Sequence, residues 1–269
     1  MPAPILHIDS CKKLFDQFKL RRHSLQFALV TIGSVLTDLE EMGVVLGLHW
    51  KGEAFLQYLL RVDPKYSPIA IGMIMHEELD KTIDRHYVEP NTKHAERILK
   101  KYNGHSFEGE GHYFLDHVMT CAFAEAEPAT VLIAEQAKKR LKDRHIVKIA
   151  YHLATFFGGK ENEIITALHH FKRFDLNVYL SRENTARMYG QFSILRDSFN
   201  PAKRSWTDKV KLAYRYVHFL LSNKQTLIHH ATEHAKGKFK NHKREYALAC
   251  KAMGRRFAKL NATYNLSIK

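Results

Sequence analysis

Gly72-Met73-Ile74-Met75-His76-Glu77-Glu78-Leu79-Asp80-Lys81-Thr82-Ile83-Asp84-Arg85-His86 is the stretch whose reading decides the fold. On a helix, His76, Asp80 and Asp84 stand at i, i+4 and i+8, so one imidazole and two carboxylates share a face. Ile74, Met75, Leu79 and Ile83 surround that face, which sets the polar stripe against core rather than open water. Buried imidazoles and carboxylates need partners, and a divalent cation is an economical one. The competing reading is an ordinary His–Asp hydrogen bond on a helix with solvated neighbours.

Working outward, Gly111-His112-Tyr113-Phe114-Leu115-Asp116-His117-Val118-Met119-Thr120 repeats the His-x-x-x-Asp spacing on a second expected helix. Metal sites in helical bundles are assembled this way, from carboxylates and imidazoles on facing helices. His117 follows Asp116 directly and points elsewhere on an ideal helix, yet is within reach of a neighbouring ion. A third segment, Gly33-Ser34-Val35-Leu36-Thr37-Asp38-Leu39-Glu40-Glu41, ends an apolar helix with carboxylates. An anion at a buried helix C-terminus opposes the macrodipole, and a nearby cation would remove the conflict; alternatively the helix emerges into solvent at Asp38. The donors are carboxylate oxygens and imidazoles without thiolates, which suits Zn²⁺, Mn²⁺ or Fe²⁺, and they are numerous enough for one to three ions.

The rest of the chain continues the helical pattern, as in Leu14, Phe15 and Phe18, then Phe55, Leu56, Leu59 and Leu60, then Val210, Leu212, Ala213, Tyr216, Val217 and Leu220. No run alternates as a strand would. The expected helices lie near 4–20, 24–42, 51–62, 67–86, 91–103, 108–125, 128–142, 145–157, 160–173, 176–188, 206–222, 224–236 and 240–262. Asp63-Pro64, Glu89-Pro90 and Gly158-Gly159 mark boundaries. The fold expected is all-α, a multi-helix bundle with a metal site between facing helices. Arg196 to Lys203 is polar, contains Pro201 and precedes a shift in charge, so it is the linker candidate. It divides a helical metal-binding domain, 1–198, from a basic helical C-terminal segment, 199–269, packed on the same domain.

That shift is large. Residues 201–269 carry 16 Lys and Arg against Asp208, Glu233 and Glu245, and so hold nearly all of the net charge of +14. A basic surface of this kind meets nucleic acid, anionic lipid or an acidic protein, although a solvated helix face has the same composition. Hydrophobic residues at 45% and charged residues at 26% exclude disordered and fibrous classes. Cys11, Cys121 and Cys250 are too few and too scattered for a disulfide framework or a thiolate zinc site. The first residues lack the basic and apolar regions of a secretory signal, from which a cytoplasmic location is expected. The most apolar run, Leu25 to Leu36, is shorter than the roughly 20 residues of a membrane span, so no transmembrane segment is expected.

The series Gly33-Ser34-Val35-Leu36-Thr37-Asp38, Gly72-x-x-x-His76-x-x-x-Asp80 and His112-x-x-x-Asp116 resembles the zinc-dependent phospholipase C superfamily, an all-helical group that includes fungal single-strand nucleases. The resemblance, over roughly residues 23–120, implies Asp38, His76, Asp80, His112 and Asp116 as metal ligands, with Asp116 standing where secreted members have Glu. Those members also use an N-terminal amino group, a part for which His7 and His23 are the alternatives here. The same segments resemble acyl carrier protein phosphodiesterase, through Asp38, then His76, Asp80, Asp84 and His86, then Asp116 and His117. Both resemblances imply metal-assisted phosphodiester cleavage.

Three further groupings, His169-His170 with Asp175, His145 with His152, and His230 with His234, have spacings compatible with a metal; the last sits in a Lys-rich stretch and reads as surface. Dinucleotide, phosphate-loop and nucleophile-elbow motifs are absent from the sequence. The function expected is phosphodiester hydrolysis by metal-activated water, with Asp84, His86 and His117 in catalytic or supporting roles. The substrate would be a phosphate ester, oriented by Lys and Arg of the C-terminal region. The rival from another class is a basic helical module for nucleic acid or an anionic membrane surface, stabilised by a structural metal.

Overall fold

A computed structural model describes residues 4–40, 45, 47–103, 110–181, 183–190, 206–207, 210, 213–214, 217, 224–239, 241–266 and 268. The linker candidate at 196–203 and most of the helix expected at 206–222 fall outside these residues. The described residues are helical and contain no strand. Among the described residues α-helices run in the order α1 Pro4–Gln17, α2 Leu25–Leu36, α3 Gly52–Val62, α4 Ser67–Ile83, α5 Glu89–Asn103, α6 Glu110–Ala126, α7 Ala129–Arg140, α8 Asp143–Phe157, α9 Glu161–Arg173, α10 Lys224–Lys238 and α11 His242–Tyr264. Where one helix was expected at 176–188, a 3₁₀ turn, Leu176–Leu180, precedes a separate helical stretch at 183–190. Asp175 caps that turn by accepting from Asn177 N–H.

The apolar run read from the sequence becomes α2, buried without interruption from Phe27 to Leu36. Its start is fixed by Ser24, whose hydroxyl accepts the Phe27 N–H at 3.1 Å. Across it lies α4, buried from Ser67 to His76. The two helices meet backbone to backbone. A Cβ on Gly72 would stand 2.1 Å from the Val30 carbonyl oxygen, and one on Gly33 would stand 2.0 Å from that of Ile69. Only glycine permits this approach, and it is what brings Ser34 alongside His76.

Around this crossing pack α1, α3 and α11, while α5 and α6 pair with each other and with α10. One hydrophobic cluster extends from Leu6 to Leu266 through all of these helices. Asp9, fully buried on α1, accepts from Thr130 at 2.6 Å and from Tyr246 at 2.8 Å, tying α1 to α7 and α11. The basic α11 thus contributes core residues such as Tyr246, Met253, Phe257 and Leu260 while keeping Lys243, Lys251 and Arg255 in solvent. None of the described helices is long and apolar enough to cross a membrane.

The boundary expected at Glu89-Pro90 is not a break. α4 runs into α5 through a π-helical turn, Asp84–Val88, whose wider spacing is seen in the Glu89 N–H donating to the Asp84 carbonyl. Pro90 lacks an N–H and its ring would crowd the carbonyl four residues back in a regular α-helix. Widening the turn removes that conflict, and Asn91 and Thr92 donate side-chain hydrogen bonds to the carbonyls of Tyr87 and Val88. Such π-turns recur at functional sites, and this one begins at Asp84.

Candidate metal centre

Two groups of His and Asp side chains gather where α4 faces α1 on one side and α6 on the other: His7, His76 and Asp80, and then Asp84, His112 and Asp116. Within each group the potential ligand atoms lie within 4.8 Å of one another. His76 Nε2 is 2.9 Å from Asp80 Oδ2 and 3.8 Å from Asp38 Oδ1, and His7 Nε2 is 3.5 Å from Asp80 Oδ1. In the second group His112 Nε2 is 3.6 Å from Asp84 Oδ1 and 3.5 Å from Asp116 Oδ2. Nitrogen and oxygen ligands at about 2.1 Å from one ion are separated by roughly 3.0–3.4 Å in octahedral or tetrahedral geometry, so these spacings need little adjustment.

The orientation of His76 is set by the helix crossing. Its Nδ1 is 2.7 Å from the Ser34 carbonyl oxygen and must donate to it, which directs Nε2 at the carboxylates. A metal-ligating histidine is oriented in this way by its second nitrogen. Asp38, in the 3₁₀ turn Thr37–Leu39 that ends α2, is buried at 5% exposure. That answers the alternative in which the chain emerges into solvent there.

His7 is fully buried, stacks on His76 with ring centroids 4.0 Å apart, and finds no hydrogen-bond partner for either nitrogen among the described residues. Such a group costs stability unless something accepts its lone pair. Burial, followed by the neighbouring His76, pulls its pKa down to about 3, so the ring is neutral and has a lone pair available. Burial would lower His76 as well, but Asp80 and Asp38 outweigh it and lift that ring to about 10. Asp80 in turn is held below the carboxylate range because His76 and His7 outweigh its burial. Burial, with Asp80 and Glu89 nearby, pushes the Asp84 carboxyl up to about 7. The carboxylates of Asp38, Asp80, Asp84 and Asp116 thus outnumber the imidazoles of His7, His76 and His112 among which they lie. Tyr87, in the π-turn, has a buried hydroxyl without a hydrogen-bond partner among the described residues, and burial and the Asp116 charge raise its pKa. Excess carboxylate, neutral imidazole and unsatisfied buried groups are the donor environment that fits a divalent cation.

Of the ligands expected from the sequence, His76 and Asp80 converge with Asp38 nearby, and His112 and Asp116 converge one helical turn away. Asp84, expected in a supporting role, stands with His112 and Asp116 instead. His7, one of two alternatives for the N-terminal ligand, enters the first group, whereas His23 is exposed. His86 does not join the site: it is exposed and lines a cleft with Lys81, Arg85 and Arg255 on the opposite side of α4. Two residues beyond Asp84, at about 100° per residue, it points to the opposite face of the helix.

His117 is likewise absent from both groups. Its ring stacks on Tyr189 at 4.7 Å and its Nε2 lies 3.7 Å from Cys121 Sγ, within apolar packing that lowers its pKa to about 3. Neither His169, His170 nor Asp175 approaches these groups, and His234, expected at the surface, is half-buried against Tyr102 with its Nδ1 3.0 Å from the hydroxyl. A pair that sequence reading passed over lies beside the first group: His49 Nδ1 is 2.8 Å from Glu40 Oε2, and the His49 and His76 rings are 6.0 Å apart. Its only signal in the sequence is a carboxylate two residues beyond Asp38.

No family model, curated protein or solved structure matches this chain significantly. The reading of the site therefore stands on its own geometry.

Proposed function

We propose that this protein is a metal-dependent phosphoesterase that cleaves a phosphodiester with water. The observation that carries the reading is the pair of His/Asp trios built on Asp80 and Asp84, the first of which includes His7, buried and without a hydrogen-bond partner among the described residues. His7, His76, Asp80 and Asp38 would hold one ion, and Asp84, His112 and Asp116 a second. Divalent ions there supply a Lewis acid for phosphoryl oxygens and make water more acidic. The protein's part is to fix the donors: Ser34 orients His76, the Gly33/Gly72 contact sets the distance between α2 and α4, and the apolar shell limits access of bulk water.

The test is turnover of bis(4-nitrophenyl) phosphate by chelated protein resupplied with Zn²⁺, Mn²⁺ or Fe²⁺. At least one metal should restore hydrolysis, and Asp84→Asn should reduce it by about 100-fold or more. Stoichiometric metal uptake with no phosphoester hydrolysis would leave a metal-stabilised scaffold in place of an enzyme.

One observation favours a second reading. Lys243, Lys251 and Arg255 of α11 project into solvent, and Arg255 meets Lys81 and Arg85 across the cleft on the far side of α4. This face suits a polyanion, and binding through it should weaken steeply with salt, whereas turnover at the buried donors should not.

A further inference from the structure

The loop that follows Asp38 is held in a costly conformation. Trp50 has φ of +62°, in the left-handed region that a bulky side chain rarely occupies, and Gly47 has φ of +73°. Two carboxylates pin this loop from opposite sides. Glu40 accepts the Gly47 N–H at 2.9 Å through Oε1 and the His49 N–H at 3.0 Å through Oε2. Glu77, the residue after His76, accepts from the backbone of Trp50 and from Gly52 N–H at 3.3 Å. Strain of this kind persists only where surrounding bonds over-determine it, and it gathers at functional sites.

What the loop presents is His49. Its Nδ1 faces Glu40 Oε2 at 2.8 Å, which leaves Nε2 as the working nitrogen. Its side chain is 35% exposed while that of His76 is 1% exposed, so His49 is the solvent-accessible ring of this neighbouring pair. The rings meet edge to face at 67° with centroids 6.0 Å apart. A phosphoryl group bound at the trio would be approached from solvent beside His49. A carboxylate-backed imidazole within reach of a reacting oxygen is the arrangement of a general acid–base.

We propose that His49, positioned by Glu40, is the general acid–base of this site and protonates the departing alcohol oxygen, a role that rests on the phosphoesterase reading above. As water forms its bond to phosphorus, the bond from phosphorus to the ester oxygen breaks and its electron pair stays with that oxygen. His49 Nε2–H gives its proton to the same oxygen. The proton released by the attacking water restores the imidazolium, so that diester and water become alcohol and phosphate monoester with nothing left over. Glu40 exchanges no proton with substrate; it keeps the ring's orientation and tautomer.

General-acid help matters most for a poor leaving group, which makes the proposal separable from metal binding. Methyl phenyl phosphate and methyl 4-nitrophenyl phosphate differ only in the acidity of the departing phenol. With the metal-loaded full chain, His49→Gln should lower kcat for the phenyl ester by about 10²–10⁴-fold and for the nitrophenyl ester far less. Metal content by elemental analysis should be unchanged. Glu40→Gln should show the same leaving-group pattern with a smaller loss. Equal losses on both esters, or loss of metal from His49→Gln, would overturn the role. If the wild-type protein holds metal and hydrolyses neither ester, the phosphoesterase reading fails and this role with it.

Discussion

Two regions of the molecule bury histidines, and they handle them in opposite ways. On α8, His145 Nδ1 is 3.0 Å from the Tyr66 hydroxyl, and His152 lies between the Tyr58 hydroxyl at 3.5 Å and Asp63 at 3.3 Å. Hydroxyls and one carboxylate serve both rings, and nothing is left over. Around α4, His7 has no hydrogen-bond partner among the described residues and lies 3.5 Å from an Asp80 oxygen, His76 faces two carboxylates, and His112 faces two more. Histidines read from the sequence as possible ligands occur in both places. The difference is the balance of donors and acceptors: a satisfied imidazole is packing, whereas one without a hydrogen bond beside several carboxylates could hold a cation.

The largest effect is expected from Gly72→Ala, because the added Cβ would overlap the Val30 carbonyl, a backbone atom that cannot swing away. The loss should exceed the roughly 1–3 kcal/mol of ordinary overpacking, and thermal denaturation followed by circular dichroism should show an unfolded or strongly destabilised chain. Gly158→Ala, by the α8 region, meets nothing within 4 Å and bears only the strain of its φ of +85°. Its smaller loss of stability is the control, and a Gly72→Ala protein as stable as it would refute the close crossing.

Next come His76→Ala and Asp116→Ala, on different helices and in different trios. Each should abolish phosphodiester hydrolysis and lower metal retention while keeping the far-ultraviolet helical signal, since the apolar shell still supplies the packing. His152→Ala, in the satisfied region, should cost some stability but leave metal content unchanged. If His152→Ala loses metal as His76→Ala does, the contrast between the regions collapses.

A smaller effect separates them by pH. His145 is held below its ordinary value of 6.5 by burial, then by Arg144, Lys65 and Lys142, and His152 is lowered chiefly by burial. The unfolded chain binds more protons at these positions, so their contribution is complete above pH 6.5 and is lost as the pH falls through the depressed folded values. Melting temperature should therefore fall below pH 6.5 in the wild type and fall less steeply in His145→Gln. An identical slope in the variant would remove His145 from the account.

The two regions also differ in how far the sequence disclosed them. The helical class was legible because apolar spacing persists throughout, and the stripe of His76, Asp80 and Asp84 was legible because one helix carries it. The Gly33/Gly72 contact was not read, since a glycine inside a helix states no distance to its neighbour. Nor could the π-turn be read from Pro90, which usually stops a helix and here only widens it. His117 was drawn in by its place beside Asp116, but consecutive helical residues point about 100° apart, and its ring belongs to the Tyr189 packing. Glu40 and His49 come together through loop backbone, which has no period to detect.

The most direct measurement is the metal content of full-length protein purified without chelator, by elemental analysis against protein concentration, compared with His76→Ala and His152→Ala. One to two equivalents of zinc, manganese or iron in the wild type and in His152→Ala, with a clear loss in His76→Ala, is the expected result. A wild-type chain that carries no transition metal and takes none up from Zn²⁺, Mn²⁺ or Fe²⁺ would contradict the claim that the carboxylates and imidazoles on α4 form a metal centre.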